Sequence, residues 1–192
     1  MWAKVESGSV TEVYTRPKQL TIGNTQYPRN IFQLWNSSEL EAIGIYEVEV
    51  NNTNLKDQGY YNNTSQTFTF GSGKVTASYG SATAKSLTDT SETVDGVTTT
   101  ILGLKSVHKS NVNSTASTLL QKHDWMSIRE AEGGTDIPSN IKTWRAAVRT
   151  KANSMCTQID NATNVDALAA LYVYNSDDPP VRPLGEFPSE PS

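Results

Sequence analysis

One apolar stripe constrains the C-terminal half of this chain more than any other feature. Ile141, Trp144, Val148, Ala152, Met155 and Ile159 recur at steps of three and four. That spacing puts them on one face of an α-helix. Lys142, Arg145, Arg149 and Lys151 take the other faces, which suits water or acidic neighbours. Pro138 suits the first helical turn, where its missing N–H costs nothing. Asn161 or a neighbour is expected to end the helix. Thr163 and Asn164 can cap a second short helix, with Asp166 near its positive end and Val165, Leu168 and Leu171 as its stripe.

Such a stripe needs an apolar partner, and the preceding segment supplies one. Ile101, Leu104, His108, Val112, Ala116 and Leu119 also step by three and four, which predicts a helix over about 102–121. Its serines and asparagines give it weak intrinsic propensity, so packing against the 138–160 helix must hold it. His123-Asp124-Trp125 follows as a corner, with Trp125 placed to close the junction.

Upstream the period changes to two. Trp2–Glu6 and Val10–Tyr14 flank Ser7-Gly8 and read as a hairpin. Thr15–Pro28 reads as a connector and Asn30–Leu34 as a strand. Ser38 followed by Glu41 has the capping-box spacing of a short helix that Gly44 stops. Ile45–Val50 alternates as a half-buried strand, and Asn51–Thr64 reads as a loop. Thr67–Tyr79 forms a second hairpin about Gly71-Ser72-Gly73. Residues 80–91 read as an exposed loop, and Asp95-Gly96 signals a third hairpin within a threonine run.

Strands first and helices last argue for an α+β protein rather than a parallel α/β sheet. The expected organisation is a β-rich domain over 1–100, a small helical domain over 101–174 and an extended Pro-rich tail over 175–192. That tail holds five of the eight prolines, which favours polyproline-like backbone over a helix or strand.

Composition narrows the function classes. With 36% apolar residues the core is modest. A net charge of −4 without long basic runs argues against non-specific nucleic-acid binding. No segment approaches the roughly 20 apolar residues of a membrane-spanning helix, and the polar opening MWAKVESGSV is expected to carry no secretion signal. The single Cys156 excludes an intrachain disulfide and fits a reducing compartment.

Candidate chemistry is sparse. His123-Asp124 could be half of a metal site, but an adjacent pair falls short of a ligand set. The competing reading is that Asp124 caps a helix or pairs with Arg145 or Arg149 at the helix junction. Gly71-Ser72-Gly73-Lys74 lacks the spacing, the following Ser/Thr and the helix of a phosphate loop. Cys156 reads as a packed thiol beside the stripe, and Asp177-Asp178 before Pro179 as a solvated turn. Tyr60-Tyr61 could stack on a sugar, yet no paired carboxylates accompany it. No catalytic, metal or cofactor-binding residue is assigned.

Leu119-Leu120, Asp124-Trp125, Ile128-Arg129, Glu132, Ile137-Pro138, Trp144-Arg145, Val148-Arg149, Ile159, and Val165 with Leu168 form a larger pattern. It comprises a leucine pair, an Asp-Trp step, a proline-started helix bearing aromatic-Arg-x-x-hydrophobic-Arg, and a short closing helix. Here the chain resembles the C-terminal helical segment of a family found in tailed bacteriophages, among tail-fibre, baseplate-associated and tail-fibre-assembly proteins. That family usually has Tyr where Trp144 stands, and its members often open with a similar hairpin. The resemblance implies a structural component of a phage tail, an adaptor at the fibre or baseplate. Its partners would be other tail proteins in a symmetric oligomeric assembly, with no nucleic acid or membrane and no catalysis. Its place would be the virion, after synthesis in the host bacterial cytoplasm. The same resemblance also fits an assembly chaperone that binds the fibre during morphogenesis. A receptor-binding or glycan-degrading fibre tip is a weaker third reading.

For docking, the tail offers Pro179, Pro180, Pro183, Leu184, Phe187 and Pro188. Prolines lower the entropy lost on ordering, and Leu184 and Phe187 can anchor in a groove. The groove belongs either to a neighbouring chain or to the protein's own body; a frayed terminus is the alternative. Asp124, Trp125, Trp144, Arg145 and Arg149 form the expected structural junction.

Overall fold

The structure, a computed structural model, describes residues 1–191; Ser192, the end of the expected tail, lies outside the described residues. The chain is an α+β protein that divides into two compact units, Met1–Thr83 and Ala84–Ser192.

The first unit is built on a five-stranded sheet. Its strands are β1 (Trp2–Glu6), β2 (Ser9–Tyr14), β5 (Ile45–Asn51), β7 (Gln66–Gly71) and β8 (Lys74–Tyr79), in the order β2-β1-β5-β8-β7. All neighbours are antiparallel except β5 and β8, which run parallel. Strands β2 and β7 approach each other, so the sheet curls into a half-barrel. Both hairpins turn through two residues of positive φ, Ser7-Gly8 and Ser72-Gly73, the backbone twist that suits a right-twisted ribbon.

Register then decides the two faces. Ala3 pairs with Val13 and Tyr46, and Val75 with Val48 and Phe70, so these residues share the concave face. Ala3, Val75 and Ala77 are fully buried there, and the Tyr46 and Phe70 rings lie 4.8 Å apart. Trp2, Tyr14 and Ile45 fall on the opposite face. A small hairpin, β3 (Leu20–Ile22) and β4 (Thr25–Tyr27), and two short helices, α1 (Ile31–Leu34) and α2 (Ser37–Ala42), supply its cover. Tyr14, Leu20, Ile31, Phe32, Leu40 and Ile45 form one buried cluster, each large aliphatic or aromatic member contributing about 1.5–3 kcal/mol.

Three local expectations change here. Residues 31–34 are a helical turn, not a strand: Ile31 and Phe32 are adjacent and both buried, which a one-sided strand forbids. The capping box is Asn36 with Glu39, not Ser38 with Glu41. Asn36 accepts from Glu39 N–H at 3.0 Å, and Glu39 accepts from Asn36 N–H at 2.8 Å. The expected connector 15–28 contains the β3–β4 hairpin, whose Leu20 is buried. Strand β6 (Tyr61–Asn62) breaks the loop that follows β5, and β9 (Thr83–Ala84) lies at the division between units.

The second unit opens with a hairpin, β10 (Thr90–Val94) and β11 (Val97–Ile101), turning at Asp95-Gly96. Helices α3 (Leu104–Gln121), α4 (Asp124–Ala131), α5 (Ser139–Asn161) and α6 (Val165–Ala170) follow. Helix α3 packs along α5. Leu104, Val112 and Ala116 are buried, as are all six residues of the α5 stripe. Lys105 donates to the Asp160 carbonyl at 2.8 Å and Lys109 to its carboxylate at 2.7 Å, placing positive charge at the negative end of α5. Pro138 stands one residue before the helix as its N-cap, with extended ψ, and its carbonyl accepts from Lys142 N–H.

The division falls at Thr83/Ala84 rather than near residue 100, because residues 86–89 build the start of α3. Leu104 N–H bonds Ser86 O and Lys105 N–H bonds Leu87 O. Asp89 accepts from Gly103 N–H at 2.7 Å. That bond first, then the Ser106 hydroxyl, holds the Asp89 carboxyl below its usual range. The loop thus satisfies N–H groups that an isolated helix leaves bare. Ile101 belongs to β11 and is exposed, so the α3 stripe begins at Leu104.

Candidate docking surface

Four of the motif residues, Leu120, Asp124, Trp144 and Arg145, tie the helical segment together. Arg145, on α5, is 5% exposed. It donates to Leu120 O at 2.6 Å and to Asp124 Oδ1 at 2.7 Å. Leu120 lies in the last turn of α3, where its carbonyl also accepts from His123 N–H at 3.1 Å, and Asp124 begins α4. One guanidinium thus ties three helices, a fork geometry that lysine cannot copy. Of the two candidate partners for Asp124, the structure selects Arg145. Arg149 is exposed one turn further along α5.

Two other expectations at this junction are corrected. His123-Asp124-Trp125 is not a corner: Asp124 and Trp125 begin α4, where Asp124 suits the positive helix end. Trp125 does not close the junction. It is 53% exposed, with the Arg129 guanidinium 4.9 Å from its ring. The sequence signal for α4 was its end: Gly133, at positive φ, and Gly134 donate to Glu130 O and Arg129 O, a Schellman closure.

His123 and Asp124 face different partners. His123 Nε2 lies 2.8 Å from Glu190 Oε1, while Asp124 bonds Arg145. Among the described residues no group of three or more His, Cys, Asp or Glu side chains could hold a metal. The Cys156 thiol lies 3.8 Å from Asn113 Oδ1 on α3, and burial pushes its pKa up, away from thiolate chemistry.

The tail has no helix or strand and folds back along its own unit. Leu184 is 2% exposed, and its N–H bonds Leu171 O at 3.0 Å. Trp144 Nε1 donates to Pro188 O at 3.0 Å. Glu190 bonds Lys122 as well as His123; Lys122 first, then His123, holds its carboxyl below the usual range. Gly185 has φ +74, and a Cβ there would meet Lys151 Nζ at 2.3 Å. Of the six expected docking residues, Leu184 is consumed in this internal anchor. Phe187 and Pro188 are half-buried, while Pro179, Pro180 and Pro183 are exposed.

What the tail leaves outward is a ledge at the end of α6. Val173, Tyr174 and Val181 are exposed, and with Ala170, Arg182 and Pro183 they line an apolar cleft of about 500 Å³. The ledge is rigidly held. Asn175 N–H bonds Val181 O, and its side-chain oxygen accepts from Val181 N–H. Arg182 pairs with Glu186, which also accepts from the Tyr174 hydroxyl at 2.6 Å. A second cleft of about 410 Å³ runs between α3 and α5, bounded by Asn113, Ala116, Asp124, Arg149 and Asn153. It is shallow and polar, without a nucleophile–base pair.

No protein-family model, curated protein or solved structure matches the chain. The resemblance to phage tail proteins therefore rests on the residues of the helical segment and, more loosely, on the opening hairpin.

Sequence reasoning named Asp124, Trp144 and Arg145 of the junction, because Asp, Trp and Arg stand out on a helical pattern, but it also placed Trp125 and Arg149 there, and both are exposed. It missed Glu190 and Asn175, and the tail-binding role of Leu171 O, because these act through tertiary bonds that leave no spacing signal. Val173, Tyr174 and Val181 were legible only as ordinary apolar residues.

Proposed function

We propose that the chain is a structural component of a bacteriophage tail, an adaptor at the fibre or baseplate that works by docking to other tail proteins. The observation carrying this reading is that four residues of the phage-like pattern make one joint. Leu120, Asp124, Trp144 and Arg145 are the residues that bind α3, α4, α5 and the tail together. A pattern that specifies a joint describes a scaffold, and a scaffold's work lies on its outer surface.

The ledge of Val173, Tyr174 and Val181 is the docking surface this reading favours. A rigid apolar patch with an aromatic and an adjacent Arg182 binds a partner with little ordering cost. Exposed Pro183 lines it. The partner is another tail protein, met in a symmetric assembly.

Immunogold labelling of particles of the phage encoding the chain tests this. Label at the tail supports the adaptor reading. Label confined to the capsid, or absent from particles whose tails are permeabilised, contradicts it. Chain found only in infected cells, bound to unassembled fibre, favours the assembly chaperone.

A further inference from the structure

Among the described residues, the hairpin β10–β11 has two free edges and no cover. Every residue of both strands is exposed, and the two strands form a sheet by themselves. A lone two-stranded ribbon is marginal in water. Free edges are commonly blunted by lysine, proline or a bulge, and neither strand has any of these.

The pairing fixes which groups are free. Val94 and Val97 flank the two-residue turn, so they exchange backbone hydrogen bonds, as do Glu92 with Thr99 and Thr90 with Ile101. Thr98 and Thr100 therefore turn their N–H and C=O groups outward along the edge of β11. Thr93 Oγ1 and Thr98 Oγ1, 2.9 Å apart, lie on the non-bonded pair between them, consistent with this phase.

The order of residues along β11 then points to an occupant. It reads Val97-Thr98-Thr99-Thr100-Ile101, which is nearly the same in both directions. We propose that β11 pairs antiparallel with β11 of a second copy of this chain, about a twofold axis beside Thr99. In that register Thr98 exchanges two backbone hydrogen bonds with Thr100 of the other copy, and the symmetric pair repeats this. Val97 faces Ile101 across the axis, and Thr99 faces Thr99. Every free backbone group of the edge is used, threonine meets threonine, apolar meets apolar, and no charge is trapped. The result is a four-stranded sheet, one face carrying Val94, Val97 and Ile101 of both copies with Glu92 and Thr99 between them.

The other edge does not fit a copy of itself. Centred the same way, β10 would set Glu92 directly opposite Glu92, and like charges in that position repel. In the matching register, β11 pairs with itself where β10 does not, and a twofold axis makes the β11 contact closed rather than head-to-tail. It stands independently of the tail assignment, since it rests on strand pattern alone.

Sedimentation of the full chain from about 10 µM to 1 mM tests the proposal, with a cross-link to read register. A monomer–dimer equilibrium is expected. In a Glu92→Gln background, which removes the carboxylate opposite position 99, Thr99→Lys sets two cations face to face, and Thr100→Pro removes an outward N–H that the hairpin itself does not use. Each should raise the dimer dissociation constant about tenfold or more, while Glu92→Lys leaves it unchanged. In a Cys156→Ser background, Thr99→Cys should oxidise to a covalent dimer, since a non-bonded antiparallel pair brings the two sulfurs within reach. Glu92→Cys should not. A monomer at every concentration with no Thr99→Cys cross-link overturns the proposal. So does a dimer indifferent to Thr99→Lys and Thr100→Pro, a trimer, or equal cross-linking at positions 92 and 99.

Discussion

Arg145 and Asp124 meet at 2.7 Å, with the guanidinium 7% exposed and the carboxylate 55% exposed. The asymmetry sets what each contributes. Removing Asp124 leaves a buried cation with Leu120 O as its remaining hydrogen-bond partner; removing Arg145 leaves a carboxylate that water can reach. Asp124→Ala should cost about 1–3 kcal/mol, and Arg145→Lys a comparable amount because one ammonium cannot span both acceptors. A double-mutant cycle by urea denaturation, Asp124→Ala with Arg145→Ala, should give a coupling of about 0.5–3 kcal/mol. Zero coupling would show that the pair is incidental.

Leu184 anchors the tail. Its side chain is buried to 2% exposure, so Leu184→Ala should destabilise the helical unit by about 2–5 kcal/mol. Pro179→Ala, at an exposed position, should stay within about 0.5 kcal/mol on the same scale. Proteolysis offers a second reading: cleavage after residue 175 should quicken in Leu184→Ala and not in the proline variant.

Gly103 is needed for close approach. A Cβ there would lie 2.3 Å from Thr88 C and 2.4 Å from Thr88 O, both backbone atoms. Gly103→Ala must push the 86–89 loop off the start of α3, at a cost of about 1–3 kcal/mol. Hydrogen exchange should show faster exchange at Leu104 and Lys105 N–H, whose acceptors lie in that loop. Unchanged protection would contradict the account of how α3 begins.

His108 gives the helical unit a pH dependence of defined sign. Burial pushes its imidazole pKa below the usual value, and its ring lies 4.7 Å from that of Tyr172. The unfolded chain then binds the proton more readily than the folded one. Stability is full above about pH 6.5, falls as pH drops from there to the folded pKa, and is level below it. His108→Phe should remove this slope from urea denaturation between about pH 5 and pH 7. A slope that survives the substitution belongs to other groups.

The parts of the fold that sequence foretold are those with a strong period or a forced turn. The α5 stripe, the α3 stripe from Leu104, and the turns at Ser7-Gly8, Gly71–Gly73 and Asp95-Gly96 all stand where spacing puts them. Short elements went unread for physical reasons. A single helical turn at Ile31–Leu34 has too few residues to express a period, and its β-branched and aromatic Ile31-Phe32 pair has the composition of a strand. Helix α4 has no buried residue, so no stripe announces it, though Gly133-Gly134 marks its end. The Asp124–Arg145 pair was legible as a pair of candidates. Choosing Arg145 over Arg149 required knowing which turn of α5 faces the end of α3.

Quantitative mass spectrometry of purified phage particles tests the central claim most directly. A tail adaptor should be present at a fixed stoichiometry to the known fibre and baseplate proteins, at a copy number compatible with tail symmetry. Absence from particles, with the chain abundant in infected cells, would contradict the adaptor reading and leave the assembly chaperone in its place.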